Sequence, residues 1–126
     1  MLRSIPPVAG STLPATGEFA AEREALDEAF DGFLRDAYLV RDSRTELLPA
    51  DAARWAAQQL RMDNAARGWG GQRVDIPWHR PGHELYAIWS TRSGTELVGM
   101  AMGKQAVDAE GHHLLTYYLL TPATGD

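Results

Sequence analysis

The chain has 126 residues, of which 44% are hydrophobic and 23% charged, with a formal charge of −5 at pH 7 and no cysteine. That size and mix suit one globular domain able to build a core without covalent staples. The acidic balance disfavours a broad nucleic-acid footprint, and the lack of cysteine excludes disulfides, thiolate nucleophiles and thiolate metal sites.

No apolar run approaches the roughly 18 residues of a membrane span, and the amino terminus lacks the apolar core of a secretory signal. No membrane association and a cytoplasmic location are therefore expected. Residues 1–17 hold Pro6, Pro7, Gly10, Pro14 and Gly17 among small polar residues. This composition sustains neither helix nor sheet, so a flexible N-terminal arm is predicted ahead of a single domain over 18–126.

From Glu18 to Val40 the apolar residues Phe19, Leu26, Phe30, Phe33, Ala37 and Val40 recur at helical steps and predict a first helix. Thr16 is its expected N-cap, and Glu18 its first-turn carboxylate. RDSRTE at 41–46 reads as a polar connection. Pro49 and Asp51 then suit the first turn of a second helix. Its expected buried stripe is Leu48, Ala52, Trp55, Gln59, Met62, Ala66 and Trp69, and Gly68, Gly70 and Gly71 stop it. Two helices joined by a short loop predict an antiparallel αα-hairpin.

Beyond Gly71 the period changes to 2. Residues 73–78 suit a short edge strand, since Pro77 is tolerated only at an edge. Residues 84–91, 96–107 and 112–121 read as strands separated by turns at Ser93-Gly94 and Asp108–Gly111. The expected fold is α+β: two N-terminal helices in an antiparallel hairpin, packed on an antiparallel meander of three or four strands.

A two-residue turn at Ser93-Gly94 pairs Trp89 with Val98, Ala87 with Met100 and Leu85 with Met102 on one face, which the next hairpin extends with Leu115, Tyr117 and Leu119. The opposite face carries Tyr86, Ile88, Leu97, Leu114, Tyr118 and Leu120 around a lane of Gly99, Ala101 and Gly103. It is too apolar to face water, and a helical hairpin covers only one side of a sheet. The sequence thus predicts a non-catalytic protein-binding module that associates through this second face, in the first place as a homodimer. The alternative is a small-molecule-binding protein or acid/base enzyme. Its pocket, between helices and sheet, would be lined by Trp55, Trp89, Met100 and Tyr117, with His79, His83 or Asp75 at the mouth.

The stretch WGGQRVDIPWHRPGHE (69–84) concentrates tryptophans, arginines and histidines. His79 and His83 are spaced like zinc ligands, but Pro81-Gly82 breaks the helix that such a motif needs, and Glu84 follows the wrong histidine. His112 and His113, adjacent on a strand, point to opposite faces. No metal site and no cofactor are expected. Arg67, Arg73 and Arg80 interleave with Trp69 and Trp78 as in a single-strand binder, although Asp75 and Glu84 dilute the charge, so nucleic acid is not the expected partner. GMAMGKQ (99–105) has the wrong glycine spacing for a phosphate loop, and no nucleophile elbow occurs.

Overall fold

The computed structural model describes residues 2, 5–8, 10–75, 85–94, 96–103 and 105–123. Their order is α1 (Ala20–Leu34), β1 (Tyr38–Leu48), α2 (Ala50–Ala66), β2 (Gly70–Asp75), β3 (Leu85–Ser90), β4 (Leu97–Met102) and β5 (His113–Pro122). The strands form one five-stranded antiparallel sheet in the order β1-β5-β4-β3-β2. The class is α+β, as expected from sequence. The expected helical hairpin does not form, because a strand separates the two helices.

Helix α1 stops early. Arg35 and Asp36 take left-handed backbone angles, φ 53° and 61°, and the Arg35 N–H bonds the Asp31 carbonyl. The chain then leaves as β1, so Ala37 and Val40 do not continue the helical stripe and 41–46 is strand rather than connection. Strand β1 is an edge, with Leu39 and Val40 exposed and a register shift between Val40 and Asp42. Charges and irregularities of this kind protect an open edge from unwanted pairing. Pro49, extended at φ −63° and ψ 156°, is the N-cap of α2 rather than its first residue.

The meander has the anticipated register. Trp89 pairs with Val98, Ala87 with Met100 and Leu85 with Met102, while Met100 and Met102 pair with Tyr117 and Leu115. The first sheet face builds a core with α2 through Ala53, Ala56 and Leu60. Trp55 and Met62, expected in this core, are 52% and 59% exposed. The sheet already supplies bulky Trp89, Met100 and Tyr117, so the helix face that fits against it is the one with small residues.

The second face is covered by α1. Leu26, Phe30 and Leu34 pack onto Leu47, Ile88, Ala101, Leu114, Tyr118 and Leu120. The two helices therefore lie on opposite faces of the sheet, which corrects the expectation that both cover one side. Phe30 stacks on Tyr118 with ring centroids 4.3 Å apart, Phe33 stacks on Tyr86 at 5.7 Å, and Tyr118 donates a 2.7 Å hydrogen bond to Asp27 Oδ1.

Candidate functional site

Polar residues on β1 hold the N-terminal arm against the α2 side of the sheet. Arg44 and Glu46 are two apart on a strand and so share a face. Glu46 is fully buried, and its Oε1 accepts from the Val8 N–H at 3.2 Å and the Ser11 hydroxyl at 2.8 Å. Its Oε2 accepts from Arg44 Nη2 at 2.8 Å. Arg44 Nη1 donates to the Leu2 and Ile5 carbonyls, and the guanidinium lies 4.6 Å from the Tyr117 ring centroid. Removing a carboxylate from water costs several kcal/mol unless donors replace the solvent, and here three groups do. Leu2 and Ile5 join the core, and Thr12 bridges to Leu47 through backbone bonds of 3.0 and 2.7 Å. The segment expected to be a flexible arm thus forms part of the α2-side packing.

Between this arm and α2 lies a cleft of about 530 Å³. Pro6, Pro7 and Val8 form its arm side, Trp55 and Arg67 its helix side, and Tyr117 lines it from the sheet. Burial, followed by the nearby Glu46 carboxylate, pushes the Tyr117 phenol above its ordinary pKa, so it stays a neutral hydroxyl. Gln59 donates a 2.9 Å hydrogen bond to Asp63 Oδ1 on the same wall.

Arg67 is held by a buried group. Asn64, fully buried on α2, accepts from Arg67 Nη1 at 2.8 Å, and its amide nitrogen lies 3.7 Å from the Met100 sulfur. The guanidinium also sits 5.4 Å from the Trp69 ring centroid. Gly68, at φ +80°, turns the chain so that the Gly68 and Trp69 N–H groups bond the Ala65 and Asn64 carbonyls, which places Trp69 beside the helix end.

Past Arg67 and Pro6 the cleft adjoins a more open groove of about 740 Å³, lined also by Trp69, Thr91, Arg92, Ser93 and Glu96. No acid lies within ion-pair distance of Arg67 or Arg92 among the described residues. Glu96 Oε2 is shut off from solvent and has no hydrogen-bond partner among them.

Of the pocket residues expected from sequence, the structure brings Trp55 and Tyr117 to one cleft. Trp89 and Met100 belong to the neighbouring core instead. His79 and His83 lie outside the described residues, as do Ile76, Pro77, Trp78, Arg80, Pro81, Gly82, Glu84 and the side chains of Arg73 and Asp75. Of the expected docking face, Ile88, Leu114, Tyr118 and Leu120 are buried, and Tyr86 and Leu97 are partly buried against α1. A partner would have to displace α1 to reach this face.

The remaining histidines have local partners. His112 Nδ1 lies 2.8 Å from Asp108 Oδ2, and His113 Nδ1 lies 2.9 Å from the Gly103 carbonyl. The His112 backbone N–H holds the Asp108 carboxyl below its usual pKa. Among the described residues no group of three or more potential metal ligands assembles, and no helix is long and apolar enough to cross a membrane.

The sequence pattern put Gln59 in the buried stripe, whereas it is exposed at the cleft, and it did not point to Asp63 or Asn64. Asn64 was the readable clue: it lies four residues after Leu60, in phase with Ala53 and Ala56, so a polar residue interrupts the stripe that is buried.

The chain matches no known protein family, no curated protein and no solved structure.

Proposed function

We propose that the protein is a non-catalytic binding module whose ligand is a small molecule held in the cleft between the N-terminal arm and α2. The observation that carries this reading is Arg67, positioned by fully buried Asn64 at the end of α2 in a cleft that the exposed indole of Trp55 and the buried ring of Tyr117 also line. A binding cleft needs mostly apolar walls and a few fixed polar groups. Here Pro6, Pro7, Val8, Trp55, Leu60 and Tyr117 supply the walls, and Arg67 supplies a preset cation. The nearby carboxylates are committed: Glu46 holds the arm and Asp63 bonds Gln59. Recognition therefore suits the cleft better than proton transfer.

The test is an NMR titration with 3-phenylpropionate, which combines an aromatic ring with one carboxylate, followed at the indole N–H of Trp55. Saturable movement of that resonance, lost in Trp55→Ala with the fold intact, is the expected result. An unmoved Trp55 indole at millimolar probe rejects the reading.

A further inference from the structure

Resting on that small-molecule reading, we infer that the groove next to Trp69 receives the head group of a zwitterion, so that the ligand is a free amino acid or a compound of the same charge pattern. Arg67 and Arg92 line this groove without an acid partner among the described residues, in a chain of net charge −5. A guanidinium presents a planar fork of donors that matches a carboxylate. Arg67 commits one of these N–H groups to Asn64.

The same groove contains the opposite requirement. Glu96 also lines this groove, and its Oε2, shut off from solvent, accepts no hydrogen bond from any described residue to offset its charge. A carboxylate charge so poorly compensated favours a cation placed against it in the groove. A simple anion satisfies Arg67 and Arg92 but meets Glu96 as a like charge. A simple amine satisfies Glu96 but meets two guanidinium groups. A molecule with a carboxylate and an ammonium on one carbon serves both, its carboxylate accepting from the arginines and its ammonium facing the Glu96 carboxylate. Thr91 also lines the groove, its hydroxyl 3.3 Å from that of Ser93. An apolar side chain of the ligand then has the adjoining aromatic cleft, which shares Arg67 and Pro6 with the groove.

Three probes with one ring and different head groups decide the matter: L-phenylalanine, 3-phenylpropionate and phenethylamine. NMR titration follows the Trp69 indole as reporter of the groove and the Trp55 indole as reporter of the cleft. L-phenylalanine should move both and bind about tenfold tighter than either single-charge probe, the difference expected for one charge-assisted hydrogen bond. Arg92→Gln should reduce its affinity towards that of phenethylamine, and Glu96→Gln towards that of 3-phenylpropionate. If a variant fails to fold, the head-group series on the wild type decides alone. Equal binding of all three probes with the Trp55 indole moving, or preference for a single-charge probe, overturns the zwitterion and leaves the cleft reading intact. No movement of either indole overturns both.

Discussion

Phe30 of α1 lies directly on Gly99 of β4. A β-carbon added at Gly99 would overlap the Phe30 ring, coming within 2.9 Å of Cε2, and would also lie 3.1 Å from Leu120 Cδ1. The small-residue lane anticipated at Gly99 and Ala101 thus has a definite purpose: it lets an aromatic ring from the helix approach the backbone of the sheet. Gly99→Ala should destabilise by about 1–3 kcal/mol through overpacking. In a double-mutant cycle with Phe30→Leu, chemical denaturation should show a coupling energy well above experimental error. Additive effects would mean that the ring does not occupy that space.

Leu120 tests what covers the second sheet face. It is buried with Phe30 and Tyr118 in the α1-side core. A lysine there would bring an unpaired charge into that core, so Leu120→Lys should lower the denaturation midpoint steeply and to the same extent at every protein concentration. A variant that kept its stability and only changed its mass in sedimentation would show the face to be an interface between subunits.

The Glu46 contacts make a separate prediction. Glu46→Ala leaves the Arg44 guanidinium, the Val8 N–H and the Ser11 hydroxyl without their acceptor. Removing one partner of a buried pair costs about 3–5 kcal/mol. Limited proteolysis should then cut between residues 6 and 18 much faster than in the wild type, because Leu2 and Ile5 lose their anchor. An unchanged cleavage rate would show that the apolar contacts of the arm suffice.

The tyrosines set an alkaline limit. Burial, aided by the hydrogen bond to Asp27, raises the Tyr118 pKa, and burial with Glu46 raises that of Tyr117. Both folded values lie above the unfolded value of about 10, so the folded chain keeps protons that the unfolded chain releases. Their contribution is complete below about pH 10 and is lost as pH rises above it. The urea midpoint should fall above pH 10, and Tyr118→Phe should reduce that slope at the cost of about 1 kcal/mol at neutral pH for the lost hydrogen bond. An unchanged slope would show that Tyr118 ionises freely in the folded protein.

Strands β3 to β5 were legible because apolar alternation coincided with turn glycines, and Gly94 and Gly111 do take φ +73° and +86°. Strand β1 was hidden by its own role. As an edge it carries Arg41, Asp42, Ser43 and Arg44 where an interior strand would be apolar, and Phe33, Ala37 and Val40 continued the helical phase across the break. That break is made by left-handed Arg35 and Asp36 without a glycine to announce it. Helix α2 misled in another way: its largest residues, Trp55 and Met62, defined a stripe, whereas the sheet accepts Ala53, Ala56 and Leu60. Trp55 and Tyr117, grouped together on sequence grounds, line one cleft. The Asn64–Arg67 contact was not legible, because it depends on which helix face is buried.

The most direct test is calorimetric titration of L-phenylalanine into the wild type and Arg67→Gln, since Arg67 lines both the cleft and the groove. The expected result is a saturable single-site isotherm for the wild type and at least about tenfold weaker binding for a folded variant, as loss of a charge-assisted contact implies. No saturable heat in the wild type would contradict the amino-acid ligand, and equal affinity in the two proteins would contradict the assignment of the Arg67 cleft as the ligand site.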